Sequence, residues 1–491
     1  MNYIQGESRK QYTMFPNVMD DYIDENNPAR AIDIFVDSLN VIEMGFDKAI
    51  ISATGRPPYS PKDLLKLYIY GYFNRIRSSR RLETESKRNI EVIWLLRNLS
   101  PDHKTISKFR KDNSVAIRNV FRTFVRLCIK LGLYGKELIA IDGSKFTAVN
   151  SKDRNFNVQK LEERLTNIDN KINKYLLELD ENDKFEKKDT ETEDISEKLE
   201  VLKNRKEKYE NMLKGLTENC ETQVSLTDPD SRRIKSANGA AIVGYNVQTA
   251  VDGKNSLIID FEVTNNSNDK GCLHSLASKC KTELDVAGEL IVLADKGYDS
   301  TTDIANCLVD NIKANVCMDI NEFDMCIETD KDSSKPTEHK NGRFVYLKSR
   351  NIVICPMGEV LTPRSYRKSK RRTRFYDSRV CRKCSCKCTK SEYIQHEVYM
   401  PFKDFSKEYN IEGLKIKQIR YVPDKLLLKR RKCIVEYPFG VVKRCMDADY
   451  LLTKGFKNVD SEFSLAYLVY NLKRAINLIG INKLIPILMT I

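Results

Sequence analysis

Two short apolar runs, each followed directly by an aspartate, constrain the fold of this chain more than any other feature. The run Leu138–Ile141 precedes Asp142, and the run Leu290–Ala294 precedes Asp295. Four or five apolar residues that stop at a polar, glycine-containing turn are typical of a strand buried within a sheet. The two runs therefore predict an α/β fold in which two buried strands each end in a carboxylate.

A β-hairpin is predicted between these two strands along the chain. Gly244–Val251 and Leu257–Val263 are both strand-like, and Asp252-Gly253 lies between them. Asp-Gly between two apolar runs is the strongest short-range signal for a hairpin. The sequence therefore predicts an antiparallel strand pair here.

Residues 1–135 have the pattern of short helices. Ser60 followed by Pro61 is typical of an N-cap with proline in the first turn. Three arginines that come after this helix are the candidate DNA contacts: Arg75, Arg77 and Arg80. Short helices with arginines between them suit a DNA reader of the helix-turn-helix kind. They also suit a helical cap with a solvated basic face, which the pattern alone favours.

Residues 156–218 carry two apolar seams with heptad-like spacing. The first runs from Val158 to Leu179 in steps of three and four, and the second runs from Ile195 to Leu216. Narrow seams of this kind are typical of paired helices. Because the acidic linker between the seams is short, an antiparallel hairpin within one chain is favoured over a coil that joins two chains.

Basic residues are concentrated in one stretch of a chain whose formal net charge is +14. Between Arg364 and Lys390 there are twelve Lys or Arg residues and one acid, Asp377, with aromatic residues among them. A long run of one sign mixed with aromatic rings suits a phosphate backbone and unpaired bases better than a merely solvated face. The predicted partner is therefore nucleic acid, with Arg371 and Arg372 as candidate contacts.

Cysteines are numerous, and a subset of them has the composition of a metal site. The first ten residues are polar and do not resemble a secretory signal, so the fourteen cysteines are expected to be reduced thiols or metal ligands in the cytoplasm. A structural zinc site needs four thiolate or imidazole ligands. The candidate set is Cys355, Cys381, Cys384 and Cys388. Their spacing departs from two C-x2-C pairs, so free thiols remain the alternative.

Three acids have the residue types and placement of a two-metal phosphodiester-cleaving site. Mg²⁺ prefers oxygen ligands, and two ions roughly 3.5–4 Å apart can clamp the attacking and leaving oxygens. Asp142 and Asp295 at strand ends and Glu436 on a predicted helix fit this pattern. Glu436 stands among many lysines and arginines, so it is either a metal ligand or a salt-bridge partner. Spacing alone leaves both readings open.

Five segments, taken in order, resemble the DDE transposases of bacterial insertion sequences. They are Ile141–Lys145, Gly244–Asp252, Ala294–Tyr298, Ile434–Arg444 and Asn471–Arg474. Residues 45–115 look like the helical domain that precedes the catalytic domain in this group. The resemblance thus covers most of the chain, and several ordered motifs are more specific than any one of them.

The resemblance implies an RNase H-like catalytic core in residues 136–480, with a helical-hairpin insertion at 156–218 and a basic, Cys-rich insertion at about 320–425. It also implies that residues 1–135 form a helical DNA-binding domain. Three acids match the catalytic and metal-binding positions of the family: Asp142 on the first strand, Asp295 on the fourth and Glu436 on a helix.

The family signature around the glutamate also contains a tyrosine, an arginine and a lysine. Lys443 matches the lysine, whereas Lys429 and Lys432 stand at the tyrosine and arginine positions. Lysine keeps the charge but cannot bind a phosphate through two parallel hydrogen bonds as arginine does. Arg431 is the neighbouring candidate for that role.

The activity implied by the resemblance is DNA transposition. Such an enzyme binds the terminal inverted repeats of its element, nicks DNA with water and two Mg²⁺ or Mn²⁺ ions, and joins the freed 3′ end to target DNA. Pairing two ends implies a homodimer, and the sequence has no apolar run long enough to span a membrane. A non-catalytic DNA-binding remnant and an RNase H-like nuclease without strand transfer are the alternatives.

Overall fold

The computed structural model of the chain describes most of its length. The described residues are 18–50, 57–150, 155–184, 189–218, 223–235, 241–316, 326–329, 344–347, 350–355, 357–367, 372–384, 398–400 and 425–490. No helix in these ranges is both long and apolar enough to cross a membrane.

The elements follow one another in a mixed α/β order. The described α-helices are α1 (Pro28–Asp37), α2 (Pro61–Phe73), α3 (Ser79–Arg88), α4 (Ile90–Leu95), α5 (His103–Asp112), α6 (Ser114–Lys130), α7 (Val158–Lys184), α8 (Asp189–Glu218), α9 (Leu273–Glu283), α10 (Thr301–Val309), α11 (Ser378–Lys383), α12 (Lys425–Gly440), α13 (Phe456–Ile479) and α14 (Ile481–Met489). The described strands are β1 (Leu138–Thr147), β2 (Asn155–Asn157), β3 (Gln223–Ser225), β4 (Arg232–Lys235), β5 (Ala241–Asp252), β6 (Ile258–Thr264), β7 (Leu290–Ala294), β8 (Ile312–Val316), β9 (Cys326–Thr329), β10 (Phe344–Leu347), β11 (Ile352–Ile354), β12 (Val360–Leu361), β13 (Pro363–Arg367), β14 (Arg372–Phe375) and β15 (Val398–Met400).

The central sheet is mixed, with strand order β6-β5-β1-β7-β8 and β4 added along part of β5. β5 runs antiparallel to both β1 and β6, whereas β7 and β8 run parallel to β1. The predicted hairpin is confirmed, since the amide of Asp252 donates to the carbonyl of Leu257 between β5 and β6. The buried strand predicted at Leu290–Ala294 is β7 with the same bounds.

The helices of the N-terminal region share one apolar core with the central sheet and the C-terminal helices. One continuous cluster of buried apolar residues extends from Ala29 in α1 to Leu488 in α14. The long helix α13 contacts α2, α6 and β6, and so lies between the N-terminal helices and the sheet. Its Asn471 donates to the carbonyl of Ile258 (2.8 Å) and accepts from the amide of Ile258 (2.9 Å), which fixes α13 on β6.

The helix start predicted at Ser60 is confirmed, because its hydroxyl accepts from the amide of Lys62 at the beginning of α2.

Two long helices, α7 and α8, lie between β1 and β5 along the chain and pack against each other. Lys206 on α8 pairs with Asp169 on α7 at 2.7 Å, and Tyr209 stacks near Phe156 at the base of the pair. Because Phe156 and Leu161 share a small core with Leu216, the start of α7 lies beside the end of α8. The two helices are therefore antiparallel.

A second small core lies in the region between β8 and α12. The strands β9 to β12 form one small sheet and β13 to β15 another. Phe344, Val353, Phe375 and Val398 pack together and join the two sheets.

Candidate active site

The register of the central sheet aligns Asp142 with Asp295. The last registered pair in the parallel ladder between β1 and β7 is Ala140 with Leu293. Each aspartate lies two residues beyond its member of that pair, so both carboxylates emerge at the same edge of the ladder. β1 itself does not end at Asp142, as the sequence predicted. It continues to Thr147 because its second half pairs with β5.

Asp142 is largely buried, and its carboxylate already has two partners. Oδ1 accepts from the amide of Gly143 at 2.9 Å, and Oδ2 accepts from Nη1 of Arg431 at 2.9 Å. Burial raises the pKa of Asp142 to about 6, and the negative charge of Asp295 adds to that rise. The charge of Arg431 opposes it without cancelling it. This carboxylate is therefore costly to keep ionised unless another cation joins it.

Asp295 caps the short 3₁₀ turn that follows β7. Its Oδ1 accepts from the amide of Gly297 at 2.7 Å, which turns the chain sharply at the strand end. The turn also brings in Tyr298, whose buried hydroxyl donates to Oε1 of Gln248 on β5. Burial raises the pKa of Tyr298, and the nearby charges of Asp269, Asp142 and Asp295 act in the same direction.

Asp269 is a third carboxylate at this edge, and the sequence analysis did not single it out. It lies in the loop between β6 and α9, where its Oδ1 accepts from Nδ2 of Asn246 and Nε2 of Gln248, both at 2.7 Å. A signal for it was present in β5, where two polar residues alternate with buried apolar ones. Both polar side chains are fully buried and on one face, so each required a buried partner.

Glu436 lies on α12, which packs against β1, β5 and β7. Its side chain is exposed, whereas Arg431 on the same helix turns inward to Asp142. Within the described ranges, no three His, Cys, Asp or Glu side chains are close enough to hold a metal ion. The structure thus brings Asp142 and Asp295 together and leaves Glu436 on the solvent side of the neighbouring helix.

Lys443 lies on a π-helical turn that continues α12. Pro438 has no amide hydrogen to maintain the helical ladder, and the chain passes into π-helix at Val441–Cys445. Nζ of Lys443 donates to the carbonyl of Lys145 on β1 at 2.9 Å and lies over the ring of Phe146. Burial lowers the pKa of Lys443. Lys432, at the arginine position of the signature, is exposed.

The N-terminal arginines divide into two groups. Arg75 and Arg80 are exposed. Arg77 is buried, and its guanidinium donates to Glu462 (2.5 Å) and to the carbonyls of Asp447 and Tyr450. The prediction that Arg77 contacts DNA is therefore wrong, because all of these contacts hold the α2–α3 connection on the C-terminal part of the chain. Of the other candidates, Arg371 lies outside the described residues, and Arg372 begins β14.

Three of the four candidate zinc ligands lie in described segments, and Cys388 lies outside them. Cys355 is buried directly after β11, and its amide donates to the carbonyl of Glu359 at 2.8 Å. Burial raises the pKa of the Cys355 thiol, and Cys384 is close enough to raise it further. Cys381 and Cys384 are partly exposed at the end of α11.

Comparison with known protein families identifies the family of the chain. A family model described as Transposase DDE domain matches residues 216–472, more than half of the chain. The chain belongs to the DDE transposase family. A second family model, described as Transposase domain (DUF772), matches residues 17–112, so the N-terminal helices of this transposase also have a transposase counterpart. Asp295, Glu436 and Lys443 lie within the first match, whereas Asp142 precedes it. No curated protein and no solved structure matches this transposase.

Proposed function

We propose that this transposase binds the ends of its insertion sequence, cleaves DNA there by two-metal-ion hydrolysis and joins the 3′ ends to target DNA. The observation that carries the proposal is the alignment of Asp142 and Asp295 two residues beyond the same registered pair of parallel strands. Family membership supplies the general activity, and this alignment supports Asp142 and Asp295 as part of the site of the chemistry.

The sheet supports an RNase H-like core. We count only the strands of the central sheet, in chain order from β1, and leave out the short β4. The order β6-β5-β1-β7-β8 then places the third, second, first, fourth and fifth strands side by side. The first three strands are antiparallel and the last two run parallel to the first. Asp142 then lies on the first strand and Asp295 at the end of the fourth, which are the positions that the family resemblance implies. The helical pair α7–α8 and the Cys-rich region between β8 and α12 are insertions in this core.

The donor set fits Mg²⁺ or Mn²⁺. Asp142 and Asp295 are neighbouring oxygen ligands, and a small divalent cation would stabilise Asp142, which burial makes costly to ionise. Asp142, Asp295 and Glu436 would hold two ions, which when bound activate the attacking water and stabilise the leaving oxygen. Since Glu436 is exposed on α12, completion of the set requires an adjustment of that helix or of its side chain.

Cations of the chain itself have roles beside these acids. Arg431 neutralises Asp142 while no ion is bound, and its guanidinium is free to pair with a phosphate once an ion takes over that charge. Lys443 is fixed on β1 a few residues from Asp142 and places a second cation near a bound phosphate. Lys432, exposed on the same helix, adds charge along the path of the DNA.

DNA binding away from the acids would rest on the exposed arginines of the N-terminal helices and on the basic segment Arg364–Lys390. Arg75 faces solvent between α2 and α3, Arg80 faces solvent on α3, and Arg364 is exposed on β13. Because two element ends are paired during transposition, the active complex would contain at least two copies of the chain.

A structural zinc ion in the Cys-rich region is part of the proposal. Zinc binds the thiolate form of cysteine, and since burial raises the pKa of Cys355 in the metal-free protein, the ion itself would have to stabilise that thiolate. Cys381 on α11, Cys384 directly after it and Cys388 would complete the set. Because no three cysteines among the described residues are close enough to hold an ion, zinc binding would require these segments to move together. The ion would fasten the basic segment to the small core around Val353 and Phe375.

The proposal is tested with a DNA fragment that carries one end of the element, a target plasmid and Mg²⁺. The transposase should nick the fragment at the end and join it to the plasmid. Binding without nicking would indicate a non-catalytic remnant, and nicking without joined product would indicate a nuclease. Either result would overturn the proposed activity.

A further inference from the structure

A hydrogen-bonded set of side chains connects the part of β1 next to Asp142 with the turn that carries Asp295. Tyr298, next to the Asp295 turn, donates to Oε1 of Gln248 on β5. That bond fixes the orientation of the Gln248 amide, so its Nε2 must face Asp269, to which it donates at 2.7 Å. Asn246, two residues earlier on the same face of β5, donates to the same oxygen of Asp269. The Asp269 carboxylate is therefore held by two amides from one strand.

The same carboxylate is wedged against the glycines that follow both site aspartates. A Cβ on Gly143 would overlap with Oδ1 of Asp269 and with the Gln248 amide. A Cβ on Gly297 would stand 3.0 Å from Oδ2 of Asp269 and 2.9 Å from Oδ1 of Asp295. Asp269 thus touches the backbone beside Asp142 with one oxygen and faces Asp295 across Gly297 with the other. Only glycine leaves enough room at both places.

An unpartnered polar atom points into the same space. Asn246 is fully buried, and its Oδ1 has no hydrogen-bond partner. This oxygen lies 3.0 Å from the Cβ position of Gly143, beside the Asp269 carboxylate. A buried carbonyl oxygen without a donor costs about 1–3 kcal/mol, which a bound cation or its water shell would offset. The unpartnered oxygen therefore marks the space beside the Asp269 carboxylate, next to Gly143, as one suited to a hydrated cation.

We propose that Asp269 is a positioning residue for the Asp142–Asp295 pair, and that it adds a third negative charge beside the site where a divalent cation binds. The Asp269 side chain fills the space between Gly143 and Gly297 and so sets the distance between the two aspartates. Its negative charge raises the affinity of the site for the cation. The inference rests on the proposed metal-dependent function. Outer-shell partners of this kind typically change metal affinity about 10–100-fold.

The test is a Mn²⁺ titration of the full-length protein without DNA, followed by electron paramagnetic resonance of free Mn²⁺. Asp269→Asn keeps the size of the side chain and removes its charge, and we expect Mn²⁺ affinity to fall about 10–100-fold. Asp310→Asn is the matched control, because Asp310 also contacts α9, through His274 and Ser278, but lies away from the two glycines. Its Mn²⁺ affinity should equal that of the unchanged protein.

Tyr298→Phe provides a second variant should Asp269→Asn fold poorly. It keeps the buried ring but removes the hydroxyl that orients Gln248, so we expect a several-fold loss of Mn²⁺ affinity. Because the buried Oε1 of Gln248 is left without a donor, the variant should remain folded but be measurably less stable. Wild-type affinity in a folded Asp269→Asn variant would overturn the role of Asp269 alone. The proposed metal site fails if the unchanged protein binds no Mn²⁺, or if Asp142→Asn binds Mn²⁺ equally well. This inference then fails with it.

Discussion

Replacement of Asp142 by asparagine should stabilise the metal-free protein while abolishing its activity. Asparagine has the shape of the protonated aspartate, so it removes the cost of holding a charge in this partly closed site. The pKa of Asp142 is raised from 3.8 to about 6. Since a tenfold change in proton affinity corresponds to 1.36 kcal/mol, the cost at neutral pH is on the order of 3 kcal/mol. This figure already includes the attraction of Arg431, because that ion pair is among the causes of the net shift.

The sign of the pH dependence follows from the same shift. A carboxyl group with a raised pKa in the folded state contributes stability below its unfolded pKa, near 4, and loses that contribution as pH rises through about 6. The free energy of unfolding of Asp142→Asn should therefore match that of the unchanged protein near pH 4. It should exceed it by about 1–3 kcal/mol above pH 7.

Urea denaturation at several pH values without metal measures this difference. Asp260→Asn is the matched control, since Asp260 also pairs with a half-buried arginine, Arg118, but away from the site. Removal of the Asp260 charge should destabilise the protein, though by less than the ~3–5 kcal/mol lost when a buried charge keeps no partner, because Arg118 also pairs with Asp460 at 3.5 Å. If Asp142→Asn is also less stable than the unchanged protein at pH 7.5, Asp142 is a structural ion-pair partner and the reasoning is refuted.

Three further predictions concern metal binding, zinc and the N-terminal arginines. Mn²⁺ affinity of the unchanged protein should fall as pH drops through about 6, because Asp142 must lose its proton to bind a cation. An affinity that does not change between about pH 5 and 8 would contradict this. Purified protein should contain about one zinc ion per chain and Cys384→Ser should lose it, whereas metal analysis that finds no zinc would leave the thiols free. Arg77→Met should lower the free energy of unfolding by about 3–5 kcal/mol because it leaves Glu462 buried without its cation. Arg80→Met should weaken DNA binding at unchanged stability. Equal stability of the two variants would contradict the distinction between the buried Arg77 and the exposed Arg80.

The strands that deliver the aspartates could be predicted from the sequence because short apolar runs and the Asp-Gly turn are local signals. β7 and the β5–β6 hairpin lie where those signals predicted them. The predicted end of β1 was wrong. Pairing with β5 extends the strand through Asp142 and Gly143, and strand pairing depends on residues far apart in the sequence. The same limit explains Asp269, whose partners Asn246 and Gln248 are about twenty residues away along the chain.

Residue type alone also gave a wrong prediction where the burial of a side chain determines what it contacts. Arg77 resembles its exposed neighbours Arg75 and Arg80 in sequence, yet it pairs with Glu462, nearly four hundred residues later. A contact of that separation has no signal in a single sequence. Asn471 belongs to one of the segments that resemble the family. Its role is structural, because its side chain forms two hydrogen bonds with the backbone of Ile258.

The central claim is that Glu436 acts with Asp142 and Asp295 on DNA, although its side chain is exposed on α12. The most direct measurement is the rate of cleavage of a DNA fragment bearing the element's end, with Mg²⁺, by Glu436→Gln. Glu289→Gln is the matched control, because Glu289 is an equally exposed glutamate just before β7. Glu436→Gln should cut about a thousandfold more slowly or worse, as expected when one member of a catalytic unit is removed, while a gel shift shows unchanged binding of the fragment. Glu289→Gln should cut at the normal rate. Cleavage by Glu436→Gln at a rate near that of the unchanged transposase would contradict the assignment of the third acid.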